Sequence, residues 1–339
     1  MNPLRRFRAA LRVLIRGETV PQPSREIPPI TPEEVEQIRH FFRRPKFFIF
    51  GHARSGTTLL ARLIRLHPEV HCNWQAHFFT RPPFLKSLVD SPAIQEWLTR
   101  RSNRWNQGGD LSPLVLRAVA DVIMEREAEE LGKRIVGDKS PSSLIHGQAV
   151  RNLYAVYPDA SLIYIVRDGR DVAISERFRN FVEDSQYLTS EDHQILEALK
   201  RDSQPFVRGE RSIFTEAALR RLANSWVENL NETETEGRRL FGERFFTLRY
   251  EDLLVNPFEE MTRLWQFLGV EVTPDLAGLI AQEMASNPDE EWQARRKGEI
   301  ASFLPKGQAG NWQRLFTERD RALFREIAGE MLKRWGYDW

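Results

Sequence analysis

Cysteine occurs once in the 339-residue chain, at Cys72. A single cysteine excludes an internal disulfide framework and any thiolate-rich metal cage, and it fits a reducing compartment. No apolar run approaches the length needed to span a bilayer. An excess of one charge sign is also missing: 49 Lys and Arg stand against 48 Asp and Glu, for a net charge of +1. So balanced a chain has no global basic field to hold nucleic acid. The N-terminus is too rich in arginine for a usual secretory signal and has no convincing apolar core or cleavage site. These absences predict a cytoplasmic protein with no nucleic-acid partner. No internal repeat is apparent, and the length allows one sizeable α/β domain with insertions or two small ones.

What is present centres on Lys46 to Leu66, KFFIFGHARSGTTLLARLIRL. Phe47 to Phe50 is a short apolar run ended by a glycine, which reads as a buried central strand. Gly51 to Gly56 then forms a polar turn, and from Thr57 the apolar residues Leu59, Leu60, Leu63 and Ile64 recur at helical spacing until His67-Pro68. The first amides of such a helix point outward and carry the positive end of its dipole, so strand, loop and helix make an anion cradle. The loop has the G-x-x-x-x-G spacing of a Walker A motif, but Thr57 stands where an NTPase needs lysine. That lysine reaches the β- and γ-phosphates in phosphoryl transfer, so an ATPase or kinase is a poor reading. Thr57 and Thr58 supply hydroxyls to a single 5′-phosphate, and Arg54 adds one cation at the mouth. The layout suits a nucleotide with one phosphate plus one transferable group.

Ala160 to Val166 is a second buried strand, running into Arg167-Asp168-Gly169-Arg170-Asp171 and a helix that carries Ser175. A strand-end arginine followed eight residues later by a helical serine repeats the phosphate-binding layout, because a dianion wants a guanidinium fork and a hydroxyl on rigid elements. Arg170 and Asp171 read as a surface pair or as helix-start charges.

Elsewhere, residues 1–45 read as an amphipathic helix and a proline-rich linker, with 46–339 as the main domain and 183–215 as an insertion. In the first stretch Leu4, Phe7, Leu11, Leu14 and Ile15 share one helical face while four arginines lie largely elsewhere. That face suits packing on the domain or a partner, or peripheral contact of residues 3–16 with the inner membrane surface. Thr31, Pro32 and Glu33-Glu34 predict a capped short helix before the central strand. Glu69 to Phe84 reads as a second strand and pocket wall. Leu114 to Leu131 reads as a helix with Glu125, Glu127, Glu129 and Glu130 on its wet side. Arg134 to Val136 reads as a short strand leading into a turn over Gly137 to Pro141. The polar 183–215 stretch predicts one helix, Glu191–Lys200, and suits either a substrate lid or a solvated insertion. Ala217–Leu240 reads as a long helix, Phe245–Leu248 as a third core strand, and Asn256-Pro257 as the cap of the next helix.

Four separated motifs resemble those of the sulfotransferase superfamily, in its bacterial-type and protein-tyrosine-sulfotransferase-like branch. The family's loop reads (P/A)-(K/R)-S-G-T-T, and this chain has Ala53-Arg54-Ser55-Gly56-Thr57-Thr58. The family holds a nucleotide 3′-phosphate with R-(D/N)-x-(R/K)-D-V-x-x-S, matched by Arg167 and Ser175. The stretch Arg249-Tyr250-Glu251-Asp252-Leu253, with Asn256-Pro257, is similar to a family pattern whose tyrosine approaches the adenine, which implies that role for Tyr250. Lys306-Gly307-Gln308-Ala309-Gly310-Asn311-Trp312 resembles the closing motif, whose lysine and amides cover the 3′-phosphate; Lys306 and Gly307 carry over. Pro305 replaces an arginine of the cytosolic enzymes, so one phosphate contact is missing. The resemblance implies a P-loop-like three-layer α/β/α domain with a central parallel sheet. It also implies 3′-phosphoadenosine 5′-phosphosulfate (PAPS) as the sulfuryl donor, 3′,5′-ADP (PAP) as its product, and a hydroxyl or amine acceptor. Lys139 matches a family lysine near the transferring group, which implies an electrostatic role. No metal is required, since side chains supply the cations that Mg²⁺ gives a kinase.

The general base is less defined. Cytosolic members use a histidine just after the Lys139 position, where this chain has Ser140-Pro141. Protein-tyrosine sulfotransferases use a glutamate in the window that here reads Asn73-Trp74-Gln75-Ala76-His77. His77 is therefore the first candidate, with Asp138 and His146 as alternatives. Trp74, Phe78 and Phe79 suggest an apolar acceptor pocket, for a small molecule, a lipid, a phenol, a glycan or a glycolipid. Two other readings stay open: a P-loop-like nucleotide kinase or NTPase, and a non-catalytic PAP-binding protein. The acceptor and a homodimeric state are open as well.

Overall fold

A computed structural model describes residues 26–81, 84–143, 147–183, 188–286 and 308–339. The basic face at 3–16, His146, Lys306 and Gly307 lie outside the described residues. Helix α1 (Pro32–Arg39) leads to β1 (Lys46–Phe50), α2 (Thr57–Ile64) and β2 (Val70–Trp74). A helical excursion, α3 (Phe84–Asp90), α4 (Pro92–Thr99) and α5 (Ser112–Glu130), precedes β3 (Ile135–Lys139). Then come α6 (Gly147–Val156), β4 (Ser161–Val166), α7 (Gly169–Val182), α8 (Ser190–Arg201), α9 (Gln204–Val207) and α10 (Glu216–Phe241). The chain continues through β5 (Phe245–Arg249), α11 (Tyr250–Val255), α12 (Pro257–Phe267), α13 (Leu276–Ala285), α14 (Trp312–Leu315) and α15 (Glu318–Arg334).

The five strands form one all-parallel sheet in the order β2-β3-β1-β4-β5. Alternation along the central strand divides the core in two. Phe48 and Phe50, with Leu162, Tyr164 and Val166 of β4, face α5, α6, α7, α10 and α15. Phe47 and Ile49, with Ile163 and Ile165, face α2, α12 and α13. A parallel sheet covered on both faces buries every position, which is why these strands read as unbroken apolar runs. The register pairs Ile49 with Lys139, Trp74 with Lys139 and Val166 with Arg249, so the strands' carboxyl ends lie along one edge. There the chain leaves β1 with β3 and β4 on opposite sides, the crevice where open α/β sheets bind ligands.

Several local expectations hold. Thr31 caps α1 in a full capping box with Glu34, with Pro32 in the first turn, an arrangement worth about 1 kcal/mol. Others change. Gly137, Asp138 and Lys139 belong to β3 rather than to a turn. A glycine is needed mid-strand because a Cβ at Gly137 would lie 2.4 Å from the Phe47 carbonyl oxygen. Glu125 is buried, paired with Lys46 at 2.7 Å and Arg44 at 2.7 Å, so it does not lie on the wet side of α5. Arg170 and Asp171 are buried rather than superficial. The described part of 183–215 is packed: Leu196, Leu199, Phe206, Ile213 and Phe214 enter the main core, and Arg177 pairs with Asp192 at 2.6 Å. Asn256 precedes α12, but its side chain makes no capping bond.

Candidate active site

The loop after β1 is held from beneath. His52 is buried, with Nδ1 2.8 Å from the Ala53 carbonyl oxygen and Nε2 3.2 Å from Ser225 Oγ of α10. Arg54 and Gly56 take left-handed backbone angles, φ 71° and φ 86°. Such angles turn the loop sharply onto the N-terminus of α2, where Gly56 offers no side-chain cap. Strained backbone of this kind collects at ligand sites. Tyr250, at the end of β5, packs on the glycine so closely that a Cβ there would lie 2.1 Å from its ring.

The strand end after β4 meets this loop. Arg54 Nε donates to Ser175 Oγ at 3.0 Å. Arg167 Nη1 donates to the Arg54 carbonyl oxygen at 3.0 Å, Nη2 donates to the Gln308 carbonyl oxygen at 3.0 Å, and the guanidinium lies 4.9 Å from the Tyr250 ring. Trp226 Nε1 donates to the Arg167 carbonyl oxygen at 3.0 Å. Gly169 lets that indole approach, since a Cβ there would lie 2.5 Å from it. Arg54, Gly56, Arg167, Ser175 and Tyr250, separated by up to about two hundred residues, are thus brought together by direct contact.

A second group lies at the ends of β2 and β3. Lys139 is buried, its Nζ 3.3 Å from Thr58 Oγ1 and 5.2 Å from the Trp74 ring. Burial lowers its pKa. Trp74 is 46% exposed, whereas Phe78 and Phe79 turn into the core, Phe79 against Phe48 and Tyr157. Of the three expected pocket aromatics, only Trp74 keeps an open face.

His77 has a left-handed backbone, φ 53°. Its amide donates to Ser140 Oγ at 2.9 Å and its Nδ1 lies 2.9 Å from Thr80 Oγ1. Burial, then the charges of Arg81 and Lys139, bring its pKa down to about 4. Asp138 accepts from the Ala76 amide at 3.0 Å and from the Ser140 hydroxyl, which fixes the turn before His77. Burial raises the Asp138 pKa. These bonds show how the turn is held; none of them joins His77 to the loop after β1.

Sequence reasoning missed three supports: His52, Asp168 with Arg170, and Asp171. Asp171 Oδ2 accepts from the Gly310 amide at 2.6 Å and Oδ1 from the Trp312 amide at 3.1 Å. Arg170 pairs with Asp168 at 2.7 Å and lies 3.7 Å from the Trp312 ring and 4.8 Å from that of Trp339. Their partners lie far along the chain, and no local pattern announces them.

Two buried polar atoms at the cradle have no hydrogen-bond partner among the described residues, Ser55 Oγ and Arg167 Nε. Orphaned buried donors beside a helix N-terminus without a side-chain cap fit a phosphate-bearing ligand. Among the described residues no group of His, Cys, Asp and Glu is arranged to hold a metal ion.

The model of the Sulfotransferase family matches residues 45–275. A protein-tyrosine sulfotransferase of Drosophila melanogaster is 25% identical over 230 residues, 67% of this chain and 38% of that protein. Omega-hydroxy-beta-dihydromenaquinone-9 sulfotransferase Stf3 of Mycobacterium tuberculosis is 23% identical over 336 residues, 87% of this chain and 76% of that protein. Carbohydrate sulfotransferase 4 of Mus musculus is 29% identical over 280 residues, 69% of this chain and 68% of that one. The match thus spans well under half the length of the Drosophila relative. A solved sulfotransferase domain from the curacin biosynthetic pathway overlaps 87% of this chain and 98% of its own, at 15% identity and a TM-score of 0.47. With the family model covering well over half of its residues, the chain belongs to the sulfotransferase family.

Proposed function

We propose that this protein transfers a sulfuryl group from PAPS to a hydroxyl or amine of a small-molecule, lipid or glycan acceptor. The observation that carries the reading is the contact set joining Arg54, Ser175, Arg167 and Tyr250 around the start of α2. In this reading Ser55, Gly56, Thr57 and Thr58 hold the 5′-phosphate with the amides of α2. Arg167 and Ser175 hold the 3′-phosphate, and Tyr250 lies against the adenine. The family resemblance assigns Lys306 and Gly307, which lie outside the described residues, to the same phosphate. Bound there, PAPS supplies a sulfuryl group whose transfer leaves the S–O bonding pair on the 5′-phosphate. Arg54, Lys139 and the α2 amides are cations and dipoles suited to stabilising that charge. Lys139 stays close to Thr58 without exposure to water, where its charge acts more strongly.

His77 is the candidate acceptor of the proton released by the attacking group. With a pKa of about 4 its imidazole is neutral at neutral pH but only weakly basic. That weakness favours one second reading, a PAP-binding protein without turnover. Asp138 is the alternative base.

Calorimetric titration with 3′,5′-ADP, 5′-AMP and Mg-ATP tests the donor site. Removing the 3′-phosphate is expected to weaken binding roughly ten- to hundred-fold, the worth of charge-assisted hydrogen bonds. Arg167→Ala should remove the same increment from 3′,5′-ADP and little from 5′-AMP. Binding of Mg-ATP with no preference for 3′,5′-ADP over 5′-AMP would return the protein to the kinase class. Acceptor turnover that vanishes in His77→Ala, with 3′,5′-ADP affinity kept, would remove the non-catalytic reading.

A further inference from the structure

Helices α3 and α4 and the turn after them form a built hairpin with two unlike sides. Inward, Leu85, Val89 and Leu98 join the main core with Phe78 and Phe79. Buried Asn106 fastens the turn, its Nδ2 donating to the carbonyl oxygens of Leu98 and Arg100 at 3.2 Å each. Outward, Ile94 and Trp97 lie three residues apart on α4, hence on one face, and are 38% and 59% exposed. Trp105 is 49% exposed, and its ring centroid lies 4.9 Å from that of Trp97, with the planes tilted by 42°. Leu88 of α3 is 45% exposed. An exposed pair of touching indoles, on a hairpin that also exposes Leu88 and Ile94, is an uncommon surface for a protein to leave in water.

The charge around this face is mainly positive. Arg100, Arg101 and Arg104 are all exposed. Arg100 pairs with Glu96, whereas Arg101 and Arg104 make no ion pair among the described residues. Over 81–106 five basic residues (Arg81, Lys86, Arg100, Arg101, Arg104) stand against two acidic ones, Asp90 and Glu96, in a chain whose whole net charge is +1. Indoles favour the boundary between headgroups and acyl chains, and arginines beside them pair with lipid phosphates. A second copy of the chain is a poor occupant: two-fold pairing through this face would bring the same arginines against one another.

We propose that the outer face of the α3–α4 hairpin docks on an anionic lipid bilayer. The Trp97–Trp105 pair enters the headgroup region, and Arg101 and Arg104 pair with lipid phosphates. The inference stands apart from the sulfuryl-transfer reading and from residues 3–16.

The test is co-sedimentation of the full chain with vesicles of phosphatidylcholine, with or without phosphatidylglycerol. The protein is expected to pellet with the anionic vesicles and to be released by salt. Each arginine is worth on the order of five-fold in partitioning, so Arg101→Glu with Arg104→Glu should weaken binding more than about tenfold. Trp97→Ser with Trp105→Ser should do likewise. All four side chains are exposed, so melting temperatures should stay at the parent value in both double variants, with residues 3–16 intact throughout. No binding to anionic vesicles by the parent chain overturns the proposal. So does binding that both double variants leave unchanged, which would place the contact elsewhere. A dimer seen by light scattering that the tryptophan variant dissociates, with vesicle binding unaltered, would assign the face to a second copy instead.

Discussion

At His77 three influences act in one direction: the ring is buried, and the charges of Arg81 and Lys139 lie near it. Its pKa falls from 6.5 to about 4. As pH drops through that window the unfolded chain binds the proton first, so stability is held above pH 6.5 and lost toward pH 4. His77→Asn removes the titration, and asparagine tolerates the left-handed backbone better than most residues. Urea midpoints over this range should fall less steeply in the variant than in the parent; equal slopes would mean that His77 does not titrate as its surroundings imply. Gly56 gives a second residue-scale prediction. Alanine there costs about 1–2 kcal/mol for the positive φ alone, and its Cβ would meet the Tyr250 ring at 2.1 Å. Gly56→Ala should lower the melting temperature and abolish detectable 3′,5′-ADP binding in calorimetry. Adding Tyr250→Ala should restore part of the stability, because it relieves the clash but not the backbone strain.

Between elements, the decisive junction joins the start of α7 to residues 308–312. Asp171 accepts both the Gly310 and Trp312 amides, and the Gln308 carbonyl oxygen in turn accepts from Arg167. In Asp171→Asn one oxygen becomes an NH₂ facing an amide, so one bond is lost and a donor is left unpaired, a change worth about 1–3 kcal/mol. The proposed 3′-phosphate site should feel this through Arg167: 3′,5′-ADP affinity should drop by about tenfold or more, with 5′-AMP affinity nearly unchanged. Equal losses for both nucleotides would reduce Asp171 to a purely structural role. This junction also marks where sequence reading ends. The strands at Phe47–Phe50 and Ala160–Val166 were legible because a sheet buried on both faces writes itself as continuous apolar runs. The end of β3 was not, because Gly137, Asp138 and Lys139 look like a turn until Phe47 is known to press on the glycine. Arg170 and Asp171 read as surface charges because Trp312 and Trp339, which cover Arg170, lie over a hundred residues away. The motifs after β1 and at the end of β4 were legible, since their spacing is local; the supports at His52 and Asp171 depend on distant partners.

Across the whole molecule, apolar packing joins β1, α5 and the turn before β4 through Phe48, Ala120, Tyr157 and Ala160, but it is not all that ties them to one another and to α1. A buried charged network runs through the same place. Lys46 Nζ reaches Glu125 at 2.7 Å and Asp121 at 3.5 Å, and it donates to the Arg44 carbonyl oxygen at 2.7 Å. Asp121 also accepts from the Tyr157 hydroxyl at 2.9 Å, while Arg117 binds both oxygens of Asp159 at 2.7 and 2.8 Å. Arg39 of α1 reaches Asp159 at 2.9 Å. Burial of this depth makes the partners interdependent: removing one leaves an uncompensated charge, which costs about 3–5 kcal/mol, whereas replacing a pair by apolar groups of similar size costs far less. Lys46→Met should therefore destabilise the fold strongly in urea unfolding, and Lys46→Met with Glu125→Leu should recover much of the loss. The pH dependence has a definite sign. Burial already raises the Asp121 pKa against the pull of Lys46 and Arg117, and removing Lys46 pushes it further up. A carboxyl raised in the folded state keeps its proton where the unfolded chain has lost it, so its contribution is intact at low pH and is lost as pH rises through the folded pKa. The penalty of Lys46→Met should thus shrink as the solution is acidified from neutrality. A penalty independent of pH would mean that Asp121 remains compensated without the lysine, and that the network is held by Arg117 and Tyr157 alone.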